Sequence, residues 1–295
     1  MKTILVTGAL GFTGRHFIRK AMDSGYQCIG LVRDSGFDLC PCIEADLTDL
    51  YQLTHRLASI DFQYVVHLGA VTFVQHDNIS ELYKTNIVGT LNLLQALMEC
   101  NSAVQKVLLS SSGIVYGTPS NMPIDEGFST APVNDYGISK EAMEKAVSLR
   151  MKDLPIQIVR PFNYTGRGQA SHFLVPKIVE AFRVKAPELS LGNLDVARDF
   201  SDVRDVCSAY LRLLESGVNS SVVNICSGNS CSISEIISML SDISGHSLAV
   251  NVDPQFVRKN EIKQLFGCNK LLVSQIGNVF EHTMEDTLRW MYEAQ

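Results

Sequence analysis

The sequence predicts an α/β protein: a doubly wound parallel sheet followed by a smaller C-terminal lobe. Three observations support this fold class. An apolar strand, Lys2-Thr3-Ile4-Leu5-Val6-Thr7, runs directly into glycines at 8, 11 and 14. Strand-length apolar runs then alternate with stretches of helical periodicity as far as Pro161, the pattern of a sheet with helices on both faces. Beyond Asn163 the alternation gives way to a glycine-rich loop and less regular elements.

Taken in order, Gly8-Ala9-Leu10-Gly11-Phe12-Thr13-Gly14 has the spacing G-x-x-G-x-x-G between a strand and a helix expected from about Gly11 to Ser24. Glycine there lets the backbone turn tightly and approach a pyrophosphate, whose charge rests against the helix N-terminus. A second strand is expected at 26–33, a third at 43–47, a fourth at 64–70 and a fifth at 106–110. Between the last two, Leu82, Ile87, Leu91, Leu94 and Leu97 recur at helical spacing over Ser80 to Cys100. An amphipathic helix at 136–151 and a strand at 156–161 complete the first unit. A helix at 173–185, a short strand at 189–191 and helices at 203–216 and 232–244 follow. The expected division is 1–163 as the nucleotide-binding domain, with about 202–226 returning to it, and 164–201 plus 227–295 as the second lobe.

The chain has 295 residues, 46% of them apolar, and a formal charge of −6, enough for one large domain with an appended lobe. No basic run or aromatic-interleaved basic patch suggests a nucleic-acid partner. The first apolar run breaks at Gly8, too early for a signal-peptide core. No stretch reaches the ~20 apolar residues that span a bilayer, so a cytoplasmic protein without membrane contact is expected. The eight cysteines lack paired metal-ligand spacing, and they read as reduced thiols with no metal site.

Tyr136 and Lys140 stand four apart on the expected helix, which places a phenol and an ammonium on one face. A tyrosine titrates ordinarily near pH ~10. A nearby lysine and a bound cationic cofactor could lower that value, and such a phenol can exchange a proton with a sugar or alcohol oxygen.

Seven motifs in order resemble the extended short-chain dehydrogenases/reductases that act on nucleotide sugars. They are the glycine motif, Asp46-Leu47, His67-Leu68-Gly69-Ala70, Asn86-Ile87-Val88-Gly89-Thr90, Ser110-Ser111-Ser112-Gly113-Ile114-Val115-Tyr116-Gly117, Tyr136-x-x-x-Lys140 and Arg160-Pro161-Phe162-Asn163. The resemblance implies a Rossmann domain binding a nicotinamide dinucleotide through Gly8, Gly11, Phe12, Thr13, Gly14, Leu68, Gly69 and Ala70, with Asp46 and Leu47 flanking the adenine. It implies that Ser112 bonds the reacting sugar oxygen, Tyr136 exchanges its proton, Lys140 holds the nicotinamide ribose and Asn86 supports the lysine. Arg33, at the end of the second strand, could clamp a ribose 2′-phosphate, which favours NADPH, while Asp34 keeps NADH possible.

The 4,6-dehydratases of this family carry an acid just after the serine, where this chain has Gly113 and Ile114, so dehydration is not expected. His172 lies near the histidine of the epimerase-reductases, but their cysteine is replaced by Ile114. The second lobe most closely resembles that of the GDP-6-deoxy-4-keto-mannose reductases. By that likeness Asn163, Lys177, Arg198 and Arg258 would hold the substrate diphosphate and Glu261 the guanine edge or a ribose hydroxyl; Thr72, just after the fourth strand, is placed to touch the sugar or to serve as a loop hydroxyl. The expected activity is reduction of the C4 ketone of a GDP-4-keto-6-deoxyhexose to a product such as GDP-D-rhamnose. The rival is a nucleotide-sugar 4-epimerase with tightly bound NAD; a non-catalytic dinucleotide sensor would have lost the serine, tyrosine or lysine. A homodimer through the helices near 80–100 and 136–151 is also implied.

Overall fold

The computed structural model describes residues 2–34, 36, 38–72, 78–100, 104–218, 221–257 and 263–294. The chain opens with β1 (Thr3–Thr7), α1 (Phe12–Asp23), β2 (Gln27–Val32), β3 (Cys42–Glu44), α2 (Leu50–Leu57) and β4 (Tyr64–His67). α3 (Ile79–Tyr83), a π-helical stretch Lys84–Gly89, α4 (Thr90–Glu99), β5 (Lys106–Ser110), a 3₁₀ turn Gly113–Tyr116, α5 (Asp135–Ser148) and β6 (Ile156–Pro161) follow. Later elements are β7 (Asn163–Thr165), α6 (Leu174–Arg183), β8 (Glu188–Leu191), β9 (Ala197–Arg198), β10 (Phe200–Asp202), α7 (Val203–Glu215) and β11 (Val222–Ile225). The last are β12 (Cys231–Ser232), α8 (Ile233–Ser244), β13 (Ala249–Val252), β14 (Gln264–Leu265), α9 (Lys270–Ile276) and α10 (Met284–Tyr292).

Seven parallel strands form one sheet in the order β11-β6-β5-β4-β1-β2-β3. The fold is therefore α/β and doubly wound, with smaller sheets in the C-terminal part. β1 is buried along its whole length, because helices cover both faces of a parallel sheet. Ile4 and Val6 face the cluster built with α1 and α7, whereas Leu5 faces the one built with α2, α4 and α5. Each such side chain contributes about 1.5–3 kcal/mol by leaving water. The segment 202–226 supplies α7, packed on α1, and β11, an edge strand of the same sheet.

The lobe is held by a third cluster, in which α6, α8 and α10 cover the β8–β13 pair. α9 and α10 were not anticipated from the sequence. α10 brings Trp290 to the seam between lobe and sheet. Its ring lies 5.8 Å from that of His16 on α1 and 4.0 Å from the Arg204 guanidinium, and His16 in turn packs edge-on against Phe12 at 5.2 Å. A Cβ on Gly166 would meet the Trp290 ring at 3.0 Å and a Val203 methyl at 2.5 Å, so the loop passes here only as glycine.

The segment read as one helix over Ser80 to Cys100 is interrupted by the π-helical stretch. Its central Asn86 is buried and turned toward the β4 loop, and π-type insertions of this kind commonly serve function.

Candidate active site

At the C-terminal end of β1, Gly8 adopts φ +66, and a Cβ on it would lie 2.7 Å from the backbone of Leu68. Gly14 is more constrained still, since its Cβ would fall 2.2 Å from the Gly8 carbonyl oxygen. The glycines thus bring β1, the β4 loop and the first turn of α1 into contact. α1 follows Gly11, which offers no side-chain cap, and has no acidic residue in its first turn. Its leading N–H groups are left for an anion, and this cradle fits a dinucleotide pyrophosphate. By contrast, α5 is capped by Asn134, whose Oδ1 accepts from Gly137 N at 2.8 Å.

A neutral hydrogen-bond chain lies beneath the cradle. Gly69 N donates to Thr7 Oγ1 at 3.0 Å, and Thr90 Oγ1 donates to the Asn86 carbonyl at 2.8 Å. His67 sits between the two hydroxyls, Nδ1 at 2.7 Å from Thr7 and Nε2 at 2.9 Å from Thr90. Since the Thr90 proton is committed to Asn86, His67 Nε2 must be the donor and Nδ1 the acceptor, which fixes a neutral tautomer. Burial, reinforced by the charge of Lys140, pushes the His67 pKa down to about 3. Asn86 closes the arrangement. Its side chain accepts from Val71 N at 2.8 Å and donates to Val71 O at 3.0 Å and to Ser139 Oγ at 2.9 Å. The loop after β4 is thereby tied to the residue preceding Lys140.

Tyr136 and Lys140 share the inner face of α5, with Lys140 Nζ 5.9 Å from the phenol ring centroid and donating to the Ser110 carbonyl at 2.8 Å. Ser112 lies beside Tyr136, and its Oγ caps the 3₁₀ turn by accepting from Ile114 N at 3.3 Å. The structure brings these three together. Burial lowers the Lys140 pKa to about 8, an effect partly offset by Glu144. In the chain alone the phenol's pKa is raised by burial, with the neighbouring Tyr164 phenol adding to the rise and the nearby Ser112 hydroxyl opposing it in part. Desolvation dominates there, whereas the expected lowering relied on a bound cationic cofactor as well as the lysine.

Gly113 and Ile114 have packing roles. A Cβ on Gly113 would enter the Phe162 ring at 2.9 Å, and Ile114 Cγ2 would stand 3.0 Å from a Cβ on Gly137. Leu47 lies against Gly69 and Gly89, and Asp46 Oδ1 accepts from Thr48 N at 2.8 Å. Arg33 is exposed, 3.6 Å from both Asp34 and Glu81. Thr72 is exposed and follows the clamped Val71, and Asn163 is exposed at the start of β7. In the lobe, Lys177 Nζ donates to Ser190 O at 2.8 Å, and Arg198 Nη1 donates to Ala197 O at 2.9 Å. His172 is exposed, its ring 4.3 Å from that of Phe173. Arg258 and Glu261 lie outside the described residues.

Several neighbours of the site carried no role in the sequence reading. Tyr164 OH bonds Thr13 Oγ1 at 2.8 Å beneath the glycine loop, and its ring stacks on Phe12 at 6.1 Å. Tyr210, fully buried on α7, has its hydroxyl 3.5 Å from Ser110 Oγ. His67 was quoted only as part of a motif. Glu144 continues the four-residue spacing of Tyr136 and Lys140 by one more step, a signal that was present in the sequence. Among the described residues no helix is long and apolar enough to cross a membrane, and no cluster of three or more His, Cys, Asp or Glu could hold a metal.

Comparison with known proteins agrees with this geometry. The chain is 35% identical over 282 residues to GDP-6-deoxy-D-talose 4-dehydrogenase of Aggregatibacter actinomycetemcomitans, covering 95% of this chain and 93% of that protein. It is 33% identical over 298 residues to GDP-6-deoxy-D-mannose reductase of Pseudomonas aeruginosa, covering 97% and 94%. The structure of RMD from Pseudomonas aeruginosa complexed with NADPH superposes with a TM-score of 0.87 at 31% identity, covering 99% of this chain and 98% of that one. The family description "NAD dependent epimerase/dehydratase family" matches residues 4–226, most of the chain and all seven strands of the large sheet save the first residue of β1, and the chain belongs to that family.

Proposed function

We propose that this NAD(P)-dependent nucleotide-sugar 4-oxidoreductase reduces the C4 ketone of a GDP-4-keto-6-deoxyhexose, giving a GDP-6-deoxyhexose such as GDP-D-rhamnose. The observation that carries the reading is the turn after Ser112. Its next two positions hold Gly113, filled by the Phe162 ring, and Ile114, packed on Gly137, so neither can move a second proton. Chemistry confined to one carbon and one proton, that of Tyr136, is what remains. The names of the two relatives support the choice of carbon: 6-deoxytalose and 6-deoxymannose differ only at C4 and share one 4-keto form.

When bound, the reduced dinucleotide supplies the hydride. Tyr136 donates its proton to the oxygen that becomes the C4 hydroxyl, and Ser112 donates a hydrogen bond to the same oxygen as negative charge develops. Lys140 holds the ribose near the phenol and favours the phenolate left behind. Asn86, through Ser139, fixes the turn of α5 that carries the lysine. The pyrophosphate lies on the N-terminus of α1, with Phe12 and Thr13 beside it, and Leu68, Gly69 and Ala70 line the nicotinamide side. NADPH is the favoured donor, because Arg33 is an exposed cation at the end of β2 where a 2′-phosphate would arrive.

The binding of the sugar nucleotide falls to Thr72, Asn163, Lys177, Arg198, Arg258 and Glu261, and the lobe of 164–201 and 227–295 is the part that closes over it. Ile79, Val88 and Ile138, exposed on the outer helices, fit a homodimer through that face.

The test is NADPH oxidation, followed by absorbance, with GDP-4-keto-6-deoxymannose as substrate, for the wild type beside Tyr136→Phe. Turnover that falls about 10²–10⁴-fold in the variant supports the assignment. No oxidation of NADPH or NADH by the wild type sinks it and transfers the search to epimerisation of intact nucleotide sugars with bound NAD.

A further inference from the structure

Arg160 leaves β6 and is buried with 7% of its surface exposed. Its Nε donates to Glu144 Oε1 at 3.0 Å and its Nη2 to Glu144 Oε2 at 2.6 Å, a two-point pair with a carboxylate of α5. Its Nη1 donates to the Tyr116 hydroxyl at 2.9 Å, and the guanidinium carbon stands 4.8 Å from that ring's centroid. Tyr116 OH donates onward to Asn224 Oδ1 at 2.8 Å. Asn224 Nδ2 donates to Ile124 O at 3.0 Å and its backbone N donates to Glu126 Oε1 at 2.7 Å.

The two partners of this one guanidinium belong to the two elements that carry the proposed chemistry. Glu144 lies one helical step beyond Lys140 and two beyond Tyr136, on the same face of α5. Tyr116 ends the 3₁₀ turn whose cap is Ser112. We propose that Arg160 is a positioning residue: through Glu144 on one side and Tyr116 on the other, it sets the Ser112 turn against the Tyr136–Lys140 helix. This rests on the assignment of Ser112 and Tyr136 given above. The cost of the arrangement argues the same way. A buried ion pair loses much of its Coulomb gain to desolvation, and a well-packed apolar replacement is commonly as stable or more so. Stability alone does not call for charges here, whereas bonding three oxygens in fixed directions does call for a planar guanidinium. Glu144 also opposes the loss of charge on Lys140 that burial drives.

The decisive variant is the double Glu144→Met/Arg160→Met, which replaces the pair by apolar side chains of similar length. Expected is a protein that unfolds at or near the wild-type temperature and keeps its NADPH KM within about 3-fold, yet loses about 10–100-fold in kcat, since a misplacement of 1 Å can cost this much. A stable double variant with wild-type kcat overturns the proposal. Should the double variant fail to fold, Tyr116→Phe removes one oxygen only; a lower kcat at unchanged KM supports the proposal and an unchanged kcat overturns it. Arg160→Lys is expected not to restore kcat, because a point charge cannot bond both carboxylate oxygens and the phenol; full restoration overturns the proposal. Crystal structures of the wild type and the double variant give a reading that needs no substrate. A change of about 0.5–1 Å in the separation of Ser112 Oγ and Tyr136 OH is expected, and an identical separation overturns the proposal. Failure of the wild type to turn over the GDP-ketosugar therefore removes the substrate assignment and leaves this structural test in force.

Discussion

Beneath the glycine loop the buried polar groups are neutral: Thr7, His67 and Thr90 pass hydrogen bonds from Gly69 N to the Asn86 carbonyl. Beneath Ser112, Tyr136 and Lys140 they are ionic, with Glu144 and Arg160 paired at two points and Tyr116 attached. Both networks join elements distant in sequence, but their tolerances differ. Loss of one hydroxyl from the neutral chain leaves single donors or acceptors unpaired. Loss of one partner from the ionic network leaves an uncompensated charge in a low dielectric. The face that presents backbone to a cofactor is thus held by interchangeable dipoles, and the face that moves a proton by directional charges.

The contrast is most severely tested by Arg160→Ala, which strands Glu144 in the interior; a loss of about 3–5 kcal/mol in unfolding free energy is expected by denaturant titration. A loss below ~1 kcal/mol would place the pair with ordinary surface pairs. Acid comes next. Above its ordinary pKa of ~6.5, His67 is neutral folded or unfolded, and its contribution is complete. As pH falls from there toward about 3, the unfolded chain binds a proton that the folded chain refuses. Stability should decline in that window by up to about 1.4 kcal/mol per pH unit from this group. His67→Gln, which keeps a donor and an acceptor, should flatten that part of the pH curve, and an unchanged slope would contradict a buried neutral imidazole. A smaller effect is expected of Thr90→Val, which removes both the acceptor for His67 Nε2–H and the donor to Asn86 O; about 1–3 kcal/mol should be lost in the same titration. At the far end, Arg289→Ala breaks an exposed pair with Glu285 one helical turn away, and about 0.3–0.5 kcal/mol or less should be lost.

The large sheet was legible in the sequence because its central strands are apolar runs with glycine or polar breaks, and both sheet faces demand the same residues there; the edge strand β3, with only Ile43 buried, carries a weaker pattern. Arg33, Asp46, Ser112 and the Tyr136–Lys140 pair could be singled out because short motifs place them at strand ends or on one helix face. What could not be read is tertiary. Spacing alone puts Glu144 on the face of Tyr136 and Lys140, but its pairing with Arg160 joins a helix to a strand, and neither local pattern announces that partner. The interruption of the 80–100 helix was hidden because the apolar spacing of Leu82, Ile87, Leu94 and Leu97 continues through it, whereas the π-helical stretch answers to Asn86 and both backbone groups of Val71. The direction of the Tyr136 shift in the chain alone also needs coordinates, since the lysine is visible in the sequence and the burial of the phenol is not. α9 and α10 have short apolar patterns whose partners lie across the molecule.

Trp290 is the one tryptophan of the chain, and it stands against His16, four residues beyond Phe12 of the glycine loop. Its emission is therefore an optical probe built into the seam between the sheet and the lobe. The same ring faces the Arg204 guanidinium, which Asp202 holds by bonds of 2.9 and 2.6 Å. Arrival of a dinucleotide at the loop, or movement of α10 as the lobe takes up its ligand, would change the indole's surroundings without a label being attached. A stopped-flow trace with each ligand added alone could then separate the two binding events in time, before any bond in the sugar has changed.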